Sequence, residues 1–151
     1  PREKSSVYNL QAVIALREGR IPEAMLLWGK SLKSYPMYEP AILNMGIASL
    51  KYGYFDKAKE LLSKLSKDWL ARFGLAAVYR NKGDGQKTTN FCLSLLKENP
   101  KHKLLLFNCG LNEWRSNKNK LRARQLIGKA IRVPGGDPSW DKGAYELLEN
   151  I

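Results

Sequence analysis

Few side chains in this sequence have the chemistry that catalysis or metal binding requires. His102 is the only histidine, and it lies in a lysine-rich segment after Pro100, so we expect it to be an exposed surface residue. No group of His, Cys, Asp and Glu has the spacing of metal ligands, and no serine or cysteine lies in a nucleophile motif. Gly83-Asp84-Gly85 lacks the strand that precedes a phosphate-binding loop. The sequence therefore favours a non-catalytic protein with no metal and no cofactor.

The two cysteines of the chain, Cys92 and Cys109, are too few for a disulfide framework. Both fall on the apolar faces of predicted helices, which favours two buried and reduced thiols. The alternative is a single bridge between two adjacent helices in an oxidising compartment.

Positive charge is the strongest feature of the composition. The 151 residues include 26 Lys and Arg against 14 Asp and Glu, which gives a formal net charge of +12. One explanation is a solvated basic face. The alternative is a patch within residues 118–132 that docks nucleic acid, anionic lipid or an acidic protein, although no aromatic residues interleave with its cations to stack on bases. The cations of this patch are Lys118, Lys120, Arg122 and Arg124.

Regularly spaced glycines separate the predicted helices, and these helices must position the cysteines and the cations. Gly19, Gly53 and Gly83 each follow one helical segment with an apolar face and precede another. Asn117 has the equivalent place in a fourth pair. The step from Gly19 to Gly53 is 34 residues, whereas the step from Gly53 to Gly83 is 30. Because glycine tolerates the left-handed backbone of a helix C-cap, the pattern predicts four helix hairpins, the second of them shortened.

Prolines and capping residues place some of the helix ends. Pro22 is predicted to open the second helix, and Asp56 is predicted to be the N-cap of the fourth. The loop at residues 134–138 is the strongest break in the chain. It precedes a last amphipathic segment, in which Trp140 is expected to be a core anchor.

The hairpin pattern resembles the tetratricopeptide repeat (TPR), a helix–turn–helix unit of 34 residues. Small residues recur where the two helices of a hairpin touch, because a large side chain there would push the helices apart. At the eighth family position these residues are Ala12, Gly46, Ala76 and Gly110, and at the twentieth they are Ala24, Ala58, Thr88 and Ala123. The resemblance implies an all-α, right-handed α-solenoid of four TPR-like hairpins. The implied repeats are 5–38, 39–68, 69–102 and 103–136, within one domain over residues 1–151.

The terminal segment, residues 138–151, has two interpretations under this resemblance. We favour a capping helix that covers the fourth repeat, because such arrays need a lid at each end. The alternative is the first helix of a fifth repeat.

In TPR proteins the first helices of successive repeats line a concave groove, which binds extended peptides or partner helices. The resemblance therefore implies a groove lined by residues at matching repeat positions. The predicted lining residues are Asn9, Val13, Arg17, Asn44, Ile47, Lys51, Phe73, Arg80, Phe107, Asn108, Leu111, Trp114 and Arg115.

Two sets of these residues indicate the chemistry of the ligand. Asn44 and Asn108 share one repeat position, with Asn9 beside it, and an asparagine amide can both donate to and accept from a peptide backbone. Each first helix ends in a cation, and a row of cations favours an acidic partner. The row consists of Arg17, Lys51, Arg80 and Arg115. The alternatives are solvated or capping asparagines, and cations that complement the helix C-termini.

The predicted function is that of a scaffold or adaptor, which binds a partner protein as a peptide or helix within a larger complex. The alternative is a basic binder of nucleic acid or anionic lipid through residues 118–132. The apolar runs are much shorter than the roughly 20 residues of a membrane-spanning helix. We expect a cytoplasmic location or, if a leader was removed, the bacterial cell envelope. The sequence leaves the partner's identity and the oligomeric state open.

Overall fold

The computed structural model describes residues 1–151, except for the side chain of Trp140. The prediction that Trp140 is a core anchor therefore lies outside the described part of the chain. Over the described backbone the protein is all-α, as predicted, with nine α-helices, one 3₁₀ turn and no strand. The helices divide into two compact units, Pro1–Gly74 and Leu75–Ile151. The assignment of a single domain stays a prediction.

The first unit contains two helix hairpins. The first hairpin pairs α1 (Arg2–Arg17) with α2 (Ile21–Ser34), and the second pairs α3 (Glu39–Lys51) with α4 (Phe55–Leu62). A 3₁₀ turn, Ser63–Leu65, follows α4 directly. The short α4 agrees with the 30-residue step between the second and third turn glycines.

The second unit contains the rest of the helices. α5 (Trp69–Asn81) begins at the end of the first unit and continues into the second. It is followed by α6 (Gly85–Glu98), α7 (Lys103–Arg115), α8 (Lys120–Arg132) and α9 (Pro138–Asn150). α7 pairs with α8 as a hairpin, and α9 packs against α8.

Glycines end α1, α3 and α5 as the sequence predicts. Gly19, Gly53 and Gly83 have φ values of 77°, 83° and 79°, which is the left-handed region that favours glycine. At each of these turns two backbone N–H groups, that of the glycine and that of the next residue, donate back to carbonyls of the helix. After α1, for example, the Arg20 N–H donates to the Ala15 carbonyl at 2.8 Å, the pattern of a Schellman cap.

The fourth turn departs from this pattern. The sequence predicts Asn117 as its turn residue, but Lys118 has the positive φ, 57°. In this fourth turn the returning hydrogen bond forms one residue later than in the other turns. The N–H of Asn119 donates to the Glu113 carbonyl at 2.8 Å. The Asn117 side chain instead donates to the Thr89 hydroxyl at 2.7 Å. This contact holds the turn against α6.

One predicted helix start is wrong by two positions. Tyr54, and not Asp56, is the N-cap of α4, and Asp56 lies in the first turn. An acid in the first turn still complements the positive end of the helix dipole. Pro22 opens α2 as predicted, at its second position after Ile21, where the missing N–H costs nothing.

Small residues let the paired helices approach closely. A Cβ built on Gly46 would lie 2.6 Å from the nearest side-chain carbon of Leu62, and one on Gly110 would lie 2.6 Å from Ile127. Ala12 and Ala24 are fully buried. These contacts confirm the expected reason for small residues at the helix crossings.

Lys103 joins α9 to the start of α7. Its ammonium lies 2.8 Å from a carboxylate oxygen of Asp141 and also donates to the Val133 carbonyl at 2.8 Å. The lysine side chain is only 15% exposed, so its charge is weakly screened by water. The capping interpretation of the terminal segment stays a prediction.

The two cysteines form a disulfide, so the favoured prediction of two reduced thiols is wrong. Cys92 of α6 and Cys109 of α7 have their Cα atoms 5.8 Å apart, inside the range that a disulfide spans. Both residues are buried, as the sequence predicts. Helical periodicity shows which face a cysteine occupies, but the distance between α6 and α7 decides whether two facing cysteines can bond.

Candidate functional site

The first-unit part of the predicted groove contains a buried polar contact. The side-chain oxygen of Asn9 accepts from the indole N–H of Trp28 at 2.9 Å and from the side-chain N–H of Asn44 at 3.1 Å. Asn9 is 7% exposed and Trp28 is fully buried. Asn9 is therefore a packing residue that joins three helices. Its predicted contact with a bound peptide is withdrawn, because its acceptor oxygen is used inside the unit.

The other first-unit groove residues remain accessible to different degrees. Val13, Asn44 and Ile47 are half-buried, whereas Arg17 and Lys51 are exposed.

Phe73, the remaining first-unit groove residue, is also half-buried. Its ring stacks on Trp69, with the ring centroids 5.4 Å apart. This part of the predicted groove therefore offers half-buried apolar side chains, with exposed cations at the ends of α1 and α3.

One predicted groove cation of the second unit, Arg80, contacts a predicted groove asparagine, Asn108. Arg80, at the end of α5, is half-buried, and its guanidinium donates to the side-chain oxygen of Asn108 on α7 at 3.0 Å. Burial lowers the pKa of Arg80, and the positive charge of Arg115 lowers it further. Asn108 thus positions Arg80.

Trp114 and three cations line a small cavity at the end of α7. The cavity has a volume of about 240 Å³, and Arg115, Lys118 and Lys120 complete its lining. The Arg115 guanidinium lies 5.9 Å from the centroid of the Trp114 ring. The sequence placed Arg115 in the groove and the two lysines in a separate patch, but the structure brings them together.

The rest of the predicted basic patch does not join this cavity. The Arg124 guanidinium donates to the Leu148 carbonyl of α9 at 3.4 Å, which assigns it to holding the terminal helix. Arg122 is half-buried on α8. Two of the four cations, Lys118 and Lys120, thus line the cavity, whereas Arg122 and Arg124 do not.

Phe107 and Leu111 are half-buried on α7, with Trp114 on the same helix. Together with Asn108 and Arg115, they account for the predicted groove residues of α7. This helix thus combines accessible apolar area with cationic and amide groups.

Sequence reasoning missed a polar network between α6 and α7. The Thr89 hydroxyl contacts the Glu113 carboxylate at 3.1 Å and accepts from Asn112 at 3.1 Å. Asn112 is 1% exposed and Glu113 is 7% exposed. Asn112 and Glu113 follow Cys109 by three and four residues, which is the spacing of one helix face. The sequence could therefore have predicted that both side chains lie on the buried face of α7.

His102 is a helix cap, whereas the sequence predicts an exposed surface residue. Its Nδ1 accepts from the Leu105 backbone N–H at 3.1 Å and thereby caps the start of α7. The residue is half-buried. A lone histidine before a helix was the available signal, since a ring nitrogen can cap as a carboxylate does.

Two further observations concern metal binding and membranes. Among the described residues, no group of His, Cys, Asp and Glu could hold a metal ion. None of the helices that these residues form combines the length and the apolar character needed to cross a membrane.

The chain has the tetratricopeptide-repeat fold. It is similar to YrrB, described as a TPR protein with an unusual peptide-binding site, with a TM-score of 0.81 and 18% identity over 95% of this chain and 75% of YrrB. It is similar to the thermophilic TPR protein TTC0263 of Thermus thermophilus, with a TM-score of 0.73 and 19% identity over 97% of this chain and 81% of that protein. These likenesses confirm the predicted α-solenoid class.

A curated sequence relative extends the comparison. The chain is 33% identical over 154 residues to protein O-mannosyl-transferase TMTC3 of Mus musculus. The alignment covers 97% of this chain but only 16% of the mouse protein. No protein-family model matches the chain.

Proposed function

We propose that this chain is a non-catalytic protein-binding module, which holds a peptide or helix of a partner protein against the first helices of its repeats. The observation that carries the proposal is the half-buried Trp114, which lines the cavity of about 240 Å³ on the first helix of a repeat. Large aromatic side chains in small pockets are the common anchors of protein interfaces. YrrB, which has the same fold, is described as having a peptide-binding site.

The groove residues of α7 support a mainly apolar contact. Phe107 and Leu111 are half-buried on this helix, so part of each side chain stays in contact with water. Covering such area with a partner removes it from water at about 25 cal/mol per Å² before the costs of association. A peptide with apolar anchors would therefore bind here, and its affinity would depend weakly on salt.

The test begins with peptides selected from a displayed random library against the whole chain. We expect Trp114→Ala to weaken binding of the selected peptides by about 30-fold, as for a central interface residue. Leu121→Ala is the matched control, because Leu121 is a large apolar side chain that is 70% exposed on the neighbouring α8. Affinities measured by fluorescence anisotropy should be unchanged in this control, and circular dichroism verifies that both variants are folded.

Salt separates this function from the basic-patch alternative. Peptide binding should persist at about 0.5 M salt, whereas binding to phosphates should collapse. The proposal fails if Trp114→Ala leaves every selected peptide bound at full affinity. It also fails if the chain binds only nucleic acid or anionic vesicles and loses that binding in salt.

A further inference from the structure

One face of α1 carries apolar side chains that are in contact with water. Val7, Leu10 and Ile14 follow one another at spacings of three and four residues, so they form one stripe along the helix. These residues are 53%, 60% and 53% exposed. Glu3 and Arg17 continue the stripe at its two ends, and both are exposed. α1 therefore presents an uncovered apolar surface with an acid at one end and a base at the other.

The equivalent face of the fourth repeat is covered by a helix. Ile14 of α1 has the same repeat position as Asn112 of α7. Val7 likewise corresponds to Leu105, and both of these α7 residues are 1% exposed. Asn112 donates to the Thr89 hydroxyl of α6 at 3.1 Å, so this face of α7 lies against α6. The stripe on α1 is a packing face of the same kind, without a covering helix in the part of the chain that the structure describes.

The stripe is complementary to itself when two copies of α1 lie antiparallel. Glu3 and Arg17 each lie seven residues from Leu10, which is about 10.5 Å along the helix axis. A two-fold axis at Leu10 therefore places Glu3 of one copy beside Arg17 of the other, at both ends of the contact. It also brings Val7 of one copy near Ile14 of the other. A parallel pair would instead place like charges together, which is unfavourable.

A second row of residues beside the stripe supports the same arrangement. Lys4 and Glu18 each lie seven residues from Gln11, and all three residues are exposed. The antiparallel pair therefore brings Lys4 of one copy toward Glu18 of the other. Within one copy Glu18 accepts from Arg20 at 3.0 Å, and Glu3 lies 4.0 Å from the N-terminal ammonium. Exposed pairs of this kind contribute little, so they compete weakly with a second copy.

We propose that α1 is a self-association surface, on which a second copy of this chain docks its own α1 in antiparallel orientation. Another apolar helix could cover the stripe, but only a second copy matches opposite charges that lie at equal distances from its centre. Both copies use the same patch, as in the two-fold dimers that are the commonest homo-oligomers. A single helix pair is smaller than a standard interface, so we expect a weak dimer with a dissociation constant on the order of 0.1 mM.

Sedimentation equilibrium of the whole chain tests the association. We expect the average mass to rise toward that of a dimer between about 0.01 and 1 mM protein. About 0.15 M salt screens the repulsion between two copies of net charge +12. Leu10→Glu places two carboxylates together at the two-fold axis, so it should weaken the dimer about tenfold or more. Leu26→Glu is the matched control, because Leu26 is 62% exposed on α2, and circular dichroism verifies that both variants are folded.

Charge reversal tests the antiparallel orientation. Glu3→Arg and Arg17→Glu should each weaken the dimer about tenfold, because each sets like charges together at both ends of the contact. The two changes alter the net charge in opposite directions, so a general charge effect cannot account for both losses. The double variant Glu3→Arg, Arg17→Glu should regain the original affinity, because the pairs form again in the reverse sense. In a parallel dimer neither single change would weaken the association.

The contrary results are equally specific. A chain that stays monomeric at about 1 mM overturns the proposal, as does a dimer that Leu10→Glu leaves intact. Equal weakening by Leu26→Glu would place the contact elsewhere than on α1 and also overturn it. A double variant that fails to regain affinity would refute the antiparallel pairing. The proposed peptide binding is argued from Trp114, so it stands or falls independently of these results.

Discussion

Reduction of the Cys92–Cys109 disulfide should destabilise the second unit measurably. The bond joins α6 to α7 across a separation of 17 residues. Breaking it removes no helix and only a little buried area, so its main effect is on the unfolded chain. The reduced unfolded chain gains the conformations that the closed loop excludes.

The separation of the cysteines sets the size of this effect. In the chain-entropy model a loop of this length stabilises a protein by about 3 kcal/mol. For a chain of this size, each kcal/mol shifts the melting temperature by about 2–4 °C, so reduction should lower it by about 6–12 °C. Because both cysteines lie in the second unit, amide exchange should accelerate in α6 and α7 and change little in α1 and α2.

The measurement is a thermal unfolding curve with and without reductant, on protein prepared under non-reducing conditions. The double variant Cys92→Ala, Cys109→Ala is the control, because its melting temperature should not respond to reductant. Alkylation and mass spectrometry count the free thiols. Two alkylated thiols in the untreated protein would refute the reasoning, as would a melting temperature that reductant changes by less than about 1 °C.

Two sets of substitutions and one titration test packing and capping. Asn9→Ala leaves a buried indole N–H without its acceptor, so the free energy of unfolding in urea should fall by about 1–3 kcal/mol. Gly110→Ala places a Cβ 2.6 Å from a neighbouring side chain, so the free energy of unfolding should fall by up to about 2 kcal/mol. Gly29→Ala places its Cβ in open space within a helix, so the free energy of unfolding should rise by about 0.5–1 kcal/mol. Asp137 is the N-cap of α9, and hydrogen bonds from the Ser139 side chain and backbone lower its pKa. The stabilisation from this N-cap is therefore complete above the ordinary Asp pKa of about 3.9 and is lost as pH falls through the lower pKa of the folded state. Carboxyl NMR titration measures that pKa.

Each of these expectations has a clear contrary result. Asn44→Ala is the comparison for Asn9→Ala, because Asn44 is half-buried and its loss should cost less. Equal losses would show that the indole contact is not the stabilising one. Equal effects of the Gly29 and Gly110 substitutions would contradict the close helix approach. An Asp137 that titrates at or above the ordinary value would contradict its capping contacts.

The glycine spacing predicted the fold well because it reports a local requirement. A helix C-cap with a returning hydrogen bond needs a left-handed residue, and Gly19, Gly53 and Gly83 satisfy that need from sequence alone. The fourth turn was misplaced because a non-glycine residue takes the positive φ there. Several residues of that polar turn can adopt a positive φ, so composition did not single out Lys118.

The site was less predictable because it depends on distances between helices. Repeat positions placed Asn9 toward the groove, but the buried Trp28 N–H needs an acceptor, and Asn9 provides it. Likewise, the sequence assigned Arg115 and Lys118 to different surfaces, whereas the turn brings both to one cavity. Periodicity identifies the face of each helix but not which side chains of two helices meet.

The side-chain oxygen of Asn9 accepts two hydrogen bonds, and this affects how the first unit unfolds. Repeat proteins behave as short one-dimensional chains, in which cooperativity depends on coupling between neighbouring repeats. The Asn9 oxygen bonds to Trp28 within its own hairpin and to Asn44 of the next hairpin. Loosening either hairpin weakens an interaction that the other one uses. This one atom therefore helps the two hairpins to melt together instead of fraying one by one from the N-terminus.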